Sequence, residues 1–384
     1  MLNPDQLEKL GNTVQAMLEP VSDFLIREIA RRVAQAGQLT STASYEVWKL
    51  QTLGKSQEEI KKKLQKMLNV SKKELDELMT QSAEVGYNFD LSSLLTADAL
   101  AFADNSAVQG IIEMVKHSTL SSIDNLTGTT VIGFDDASKQ FHSLDEAIHK
   151  ACDFAFEKVS SGAQDYGSAV RDATRQLANK GIMSFDYASG VKTEMGAAVR
   201  SNVIGGLGLM QVQSAQRNHD VLGANGWEIS AHAAPAPDHE PIQGKQYSDE
   251  AYKKLNDSLV RRIGTLNCGH SAHPIILGVS EPQYTSAQLA RMRNENDKGT
   301  YFKGEHFSTY EATQRQRAYE RAIRKSKRRI SVTESEMAVK GSPILQDQLQ
   351  IDKTKLRLLN KEYRDFSKAT GLRLQRERLW VPTK

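Results

Sequence analysis

The chain has only two cysteines, Cys152 and Cys268, among its 384 residues. So few exclude a disulfide framework and suit a reducing compartment, and a bridge between the two is not expected. No apolar run approaches the ~20 residues that span a bilayer. Nor does Met1-Leu-Asn-Pro-Asp-Gln6 show the basic-then-apolar order of a secretory signal. The expectation is a protein without a membrane partner that acts in the compartment where it is made. The chain also lacks internal repeats, low-complexity tracts and the Gly-x-x-x-x-Gly-Lys-Ser/Thr spacing of a phosphate loop. Gln243-Gly-Lys-Gln-Tyr-Ser248 and Leu277-Gly-Val-Ser-Glu-Pro282 read as turn and strand punctuation, so a nucleotide site is unsupported.

What is present is ordinary in amount but uneven in place. Charged residues make up 25% and aromatics 7%, and the length allows two or three domains with cores of their own. The net charge of +3 hides an asymmetry: residues 301–384 hold 20 Lys and Arg against 10 Asp and Glu, and the remainder holds 30 against 37. An acidic body and a basic tail suit different partners, nucleic acid being one candidate for the tail.

Helical periodicity dominates. Val14, Met17, Leu18, Val21, Phe24, Leu25 and Ile29 recur at helical spacing, with Pro20 predicting a break or kink. Residues 58–68 and 71–79 repeat the pattern, and Ser71 with Glu74 predicts a capping box between them. Helices are also expected over 97–126, 144–159 and 169–177, with a turn or short strand near 129–136. From 186 to 222 an apolar stripe is interrupted by Gly190, Gly196, Gly205, Gly206 and Gly208. Each costs about 1 kcal/mol against Ala inside a helix, which points to close packing against another helix. Trp227, Ile229 and Ala231 then alternate as in a strand. Beyond them the chain is irregular and rich in Pro, Gly and His. Near the end, Ser308 and Glu311 predict a helix start stapled by Phe307, with Ala312, Tyr319, Ile323 and Ile330 as its apolar stripe. A last helix runs from about Ile344 to Thr370 and closes on Gly371.

The expected fold class is therefore α+β, predominantly α-helical with a small strand-containing module near residues 227–284. Four regions follow: an N-terminal helical region over 1–95, a central helical region over 96–226, the α+β module over 227–300, and a basic helical region over 301–384.

Chemistry-bearing residues concentrate in the module. His232, His239, Cys268, His270 and His273 include the residue types that hold zinc. Their spacing is loose, however, with no Cys-x-x-Cys pair and prolines between His232 and His239. Structural, hydrogen-bonded histidines without metal or cofactor are expected instead. A Cys–His nucleophile would need Cys268 beside His270 or His232; a small buried cysteine at a strand end is the plainer reading. Arg315, Arg317, Arg321, Arg324, Lys325, Lys327, Arg328 and Arg329 crowd one helix. Such a run suits phosphate contact with salt-dependent affinity. With no aromatic residues interleaved for base stacking, protein contact is the expectation and packaged DNA the alternative.

Over residues 120–380 the chain resembles the phage minor capsid protein 2 family. The first motif stands as Ser230, His232, His239, Gln243 and Gly244, with Ala236 where the family reads Arg and Ile242 where it reads Trp. The second is Asn267, Cys268, Gly269 and His270, with Gly269 in place of Arg. Ser280, Glu281, Pro282 and Tyr284 follow, then Tyr310, Glu311, Gln314, Gln316, Arg317 and Glu320, and last Phe366, Gly371, Leu372 and Arg373. The resemblance implies a minor head protein of a virion, placed near the portal during head assembly in the bacterial cytoplasm. Its implied partners are the portal and other head proteins. It also implies that no toxin domain is appended, since the chain ends soon after the family region. A phage-delivered enzyme or toxin-like module, acting through Cys and His on an NAD- or RNA-type substrate, is the competing implication. Loss of two arginines suited to clamping an anion favours the structural role.

Overall fold

The structure is a computed structural model that describes residues 4–94, 101–128, 130–131, 144–185, 192–265 and 268–379. It is predominantly helical, and its helices surround the first of them. Helix α1 (Pro4–Ala36) buries Val14, Leu18, Val21, Leu25, Ile29 and Val33 along its length. It continues through Pro20, where a break was predicted from local rules. An internal proline costs about 3 kcal/mol. Each fully buried Val, Leu or Ile contributes about 1.5–3 kcal/mol, so tertiary packing on both sides of Pro20 outweighs it.

Helix α2 (Thr42–Trp48) leads through a short π-helical turn into α3 (Gly54–Leu94). Here the two predicted helices are one, and Ser71 lies in its interior instead of capping a second start. No proline and no glycine falls between Gly54 and Gly86 to interrupt it. Helices α4 (Ser106–Gly128), α5 (Leu144–Ser160), α6 (Tyr166–Lys180) and α7 (Met195–Leu222) follow. A small antiparallel sheet, β1 (Thr130–Val131), β2 (Met183–Phe185) and β3 (Lys192–Glu194), lies beside them. The rest of the predicted turn after Val131, and residues 186–191, lie outside the described residues. One apolar core runs from Leu10 to Leu345 and includes Met79, Ile112, Cys152, Val170, Val203 and Val332. Cys152 is a free thiol inside it, and burial pushes that thiol up to about 12.

Residues 226–275 form a second three-stranded antiparallel sheet with β4 (Gly226–Ile229) between β5 (Gln246–Ser248) and β6 (Ala272–Ile275). All four β4 residues are buried, because helix α8 (Asp249–Ser258) and α7 cover it. Trp227 stacks between His219 at 4.8 Å and Tyr252 at 5.3 Å. Helix α9 (Ser286–Lys298) leads to the hairpin β7 (Thr300–Phe302) and β8 (Glu305–Phe307), then α10 (Thr309–Met337) and α11 (Pro343–Thr370). The predicted capping box is present: Ser308 Oγ accepts from Glu311 N at 3.2 Å, and Ser308 N donates back to Glu311 Oε2 at 2.8 Å. Gly371 closes α11 with φ 71°, the left-handed region that glycine tolerates.

The close approach predicted for the α7 glycines falls on Gly208, and its partner is a turn of the module, not a helix. A Cβ there would lie 1.8 Å from the carbonyl oxygen of Gly264. Where α1 meets α7 the tight glycine belongs to α1: a Cβ on Gly11 would lie 2.7 Å from Arg200 Nε and Ile204 Cδ1. Gly205 has open space around it. Gly208→Ala is therefore expected to push the module off α7 and destabilise the protein by about 1–3 kcal/mol. Gly205→Ala is expected to be neutral or slightly stabilising. Denaturant midpoints of the two variants, followed by Trp fluorescence, check the contrast.

A second outcome follows from Glu336, which is buried on α10 and accepts the Thr174 hydroxyl at 2.6 Å. Burial raises its carboxyl from 4.5 to about 8. The folded chain thus keeps a proton that the unfolded chain releases, and stability falls as pH rises from about 4.5 to about 8. Glu336→Gln keeps the acceptor and is expected to flatten that part of the Tm-against-pH curve.

Candidate functional site

Backbone geometry sets the module's polar side chains. Residues 236–243 turn like a short helix: Glu240 N donates to Ala236 O at 3.0 Å and Gln243 N to His239 O at 3.2 Å. Four-residue spacing puts His239 and Gln243 on one side of that turn, and both are buried. Gly244 follows at φ 67°, where a Cβ would also meet Leu289 at 2.5 Å. Its N–H donates to Ile229 O at 2.8 Å, which joins the turn to β4. On the other side, Ser230 N donates to Ser271 O at 2.8 Å and Ser271 N to Ser230 Oγ at 2.9 Å. The two motif stretches are thereby held side by side. Glu228 Oε1 accepts Gln283 N at 2.8 Å, and the Tyr284 hydroxyl donates to Ala231 O at 3.3 Å, fixing the Ser-Glu-Pro-x-Tyr stretch to the same strand.

This framework brings together three of the five zinc-type residues. Cys268 Sγ lies 3.4 Å from His239 Nδ1 and 3.6 Å from His270 Nδ1. The three ligand atoms all lie within 4.8 Å of one another, and all three residues are buried. His239 Nε2 is 2.9 Å from Arg261 O, and His270 Nε2 is 3.1 Å from Gln243 Oε1. The backbone N–H of His232 donates to that same Oε1 at 3.1 Å. His232 itself is half-buried. Its Nδ1 lies 2.9 Å from Ala233 O, and its Nε2 is buried without a partner. His273 stands apart on β6, 3.2 Å from the Ser271 hydroxyl. Asn267 lies outside the described residues. Gly269, where the family motif reads Arg, gives its space to His232: a Cβ there would meet His232 Nε2 at 2.9 Å.

Electrostatics argue against a Cys–His nucleophile. Burial raises the Cys268 thiol above its ordinary value. Burial, then repulsion from His232 and His239, pushes His270 down to about 3. A thiolate–imidazolium pair needs the opposite shifts.

The cluster forms part of the wall of a cavity of about 620 Å³, which also draws on the motifs that begin at Tyr310 and end at Arg373. From the module come His232, Ala236, His239, Cys268, Gly269 and His270. From α10 come Tyr310, Gln314, Gln316 and Arg317, and from the segment after α11 come Leu372, Arg373 and Arg378. Arg200 of α7 and Arg261 add to the wall. Burial, then repulsion from Arg378 and Arg317, lowers Arg200 to about 10; burial and Arg378 lower Arg317 likewise. Positive charge is therefore crowded here. Local sequence rules missed Arg200, Arg261 and Arg378, since only the tertiary fold assembles that wall.

The basic run of α10 divides. Arg315, Arg321 and Lys325 are exposed, Arg315 lying over the Tyr319 ring at 5.3 Å. Arg324 Nη1 donates to Arg378 O at 2.9 Å and Lys327 Nζ to Leu379 O at 2.5 Å, holding the C-terminal turn. Arg328 is buried against Glu194, and Arg329 pairs with Asp352 at 2.9 Å. Gln316 Nε2 donates to Ser367 Oγ at 3.0 Å and Arg373 O at 2.9 Å, so this motif glutamine also ties the last segment down.

Gln243→Leu removes the acceptor shared by His270 and the His232 N–H. Each buried donor left without a partner costs about 1–3 kcal/mol. The expected result is a lower denaturant midpoint reported by Trp227, whereas Gln243→Glu, which keeps an acceptor at that atom, loses less.

No helix among the described residues is long and apolar enough to cross a membrane. No curated protein and no solved structure matches the chain. The family model described as phage minor capsid protein 2 matches residues 2–368, nearly the whole of the helical body, the module and the cavity between them. The chain belongs to the phage minor capsid protein 2 family.

Proposed function

We propose that the protein is a structural component of the phage head, incorporated beside the portal while the head assembles in the host cytoplasm, and that it catalyses no reaction. The match of the family model across residues 2–368 carries this reading. The chemistry of the module supports it. Its motif side chains are largely engaged with one another and with backbone, and burial raises the Cys268 thiol while lowering His270, away from a reactive pair. The portal and neighbouring head proteins are the partners. Arg321 and Lys325, with Arg315 beside them, form the exposed part of the basic run and are the proposed contact.

Particles made by a phage lacking this chain test the reading. The parent's heads are expected to contain the protein by mass spectrometry, and the deletion to yield malformed or portal-deficient heads by electron microscopy. Absence of the protein from mature particles and their precursors overturns it. Arg321→Glu with Lys325→Glu is expected to leave the Tm within about 1 °C of the parent, since exposed charges contribute little to stability, while lowering incorporation into heads. Salt-dependent retardation of duplex DNA, abolished by the same pair, would assign the surface to the packaged genome instead.

A further inference from the structure

The hydrogen bonds around Cys268 fix the proton on each neighbouring ring. His239 Nε2 faces the Arg261 carbonyl at 2.9 Å, and a carbonyl only accepts, so that nitrogen carries the proton. Gln243 Oε1 is held by the His232 backbone N–H at 3.1 Å, which fixes the amide with its oxygen toward His270 Nε2. That nitrogen carries a proton too. With each ring neutral, both Nδ1 atoms are lone pairs facing one sulfur, at 3.4 and 3.6 Å. A thiol has one proton and satisfies one of them. The other is a buried acceptor facing a sulfur, an arrangement that one metal ion bound to all three atoms resolves.

We infer that His239 Nδ1, Cys268 Sγ and His270 Nδ1 bind a zinc-class divalent ion that staples the module. Two imidazoles and a thiolate are the borderline-soft donors such an ion prefers. Each ring already gives its other N–H to an oxygen, which is how metal-bound histidines are oriented and made more basic. The three atoms lie within 4.8 Å of one another and draw on two separate stretches of chain, the 236–243 turn and the segment before β6. An ion there would tie those stretches together. Such a tie would add to a small core: Ile229, Ile263 and Cys268 are buried, with Ile242, Tyr247, Tyr252, Leu255, Leu259 and Ala272 partly buried against them.

The test uses the full chain. Protein purified without chelator is expected to carry about one equivalent of zinc. Exchange for Co²⁺ is expected to give a thiolate-to-cobalt charge-transfer band and strong tetrahedral d–d absorption. Cys152→Ser should keep that band, because Cys152 lies in the helical core, and Cys268→Ser should lose it. Should Cys268→Ser fail to fold, the parent supplies the same answer by peptide mapping after thiol alkylation, with Cys268 protected until a chelator is added and labelled at least tenfold faster afterwards. Metal-free protein that shows no charge-transfer band with added Co²⁺, or Cys268 labelling indifferent to chelator, overturns the assignment. Neither result bears on whether the protein enters heads, so the two proposals fail independently.

Discussion

Arg378 closes the molecule. Its guanidinium is buried among residues from opposite ends of the chain: Glu8 on α1, Asn12 Oδ1 at 2.8 Å, and Glu320 Oε2 on α10 at 3.3 Å. Glu320 in turn accepts the Tyr363 hydroxyl of α11 at 3.1 Å, and that oxygen accepts Gln375 N at 2.9 Å. One network thus binds the first helix, the last two and the segment that returns after them. Removing one partner from such a buried network leaves an uncompensated charge and costs about 3–5 kcal/mol. The cavity owes its character to the same residue. Because Arg378 is fixed there, Arg200 and Arg317 sit in its repulsive field.

The module is positioned by a different means. Its attachment to α7 relies on two glycines whose backbones nearly touch, Gly208 and Gly264, and on Trp227 stacked against His219 of that helix. Shape decides this contact, and shape tolerates no added methyl. Docking here places the 236–243 turn and Cys268 opposite Arg317 and Arg373, so four of the five motif stretches, remote in sequence, share one cavity wall. Those stretches are thus linked by the space they enclose as well as by their hydrogen bonds.

How much of this could be read from residues alone depended on range. The start of α10 was legible because Ser308 and Glu311 satisfy each other within one turn, and the end of α11 because Gly371 supplies a left-handed residue. The β4 strand was legible from Trp227 and Ile229. Ser71 misled for a local reason, since an uninterrupted helical run overrides its capping preference, and of the break or kink expected at Pro20 the buried helix face removes the break. That His239, Cys268 and His270 would meet, and not His232 or His273, was beyond reach. His239 and Cys268 are far apart along the chain and meet through the Ser230–Ser271 pairing and a helical turn containing prolines, neither of which has a sequence spacing rule. The basic run on α10 read as one surface. Arg324, Lys327 and Arg328 instead serve internal partners that only the folded chain brings near.

The two arginines missing from the family pattern look different once the cavity is described. Ala236 and Gly269 both line it, so arginines at those positions would add two cations to its wall. Yet Arg200, Arg261, Arg317, Arg373 and Arg378 remain there, drawn from α7, the module, α10 and the C-terminal segment. The wall stays cationic, and the substitutions do not by themselves separate a structural cavity from one that receives an anion. What separates them is the state of the neighbouring groups. Burial raises the Cys268 thiol and lowers His270, the reverse of a thiolate–imidazolium pair, and the same three atoms are well suited to holding a cation in place. The space beside Gly269 is occupied by the His232 ring. The hydrogen bonds of the cluster therefore favour a support over a reactive centre, beside a cavity whose charge comes from α7, the module, α10 and the C-terminal segment.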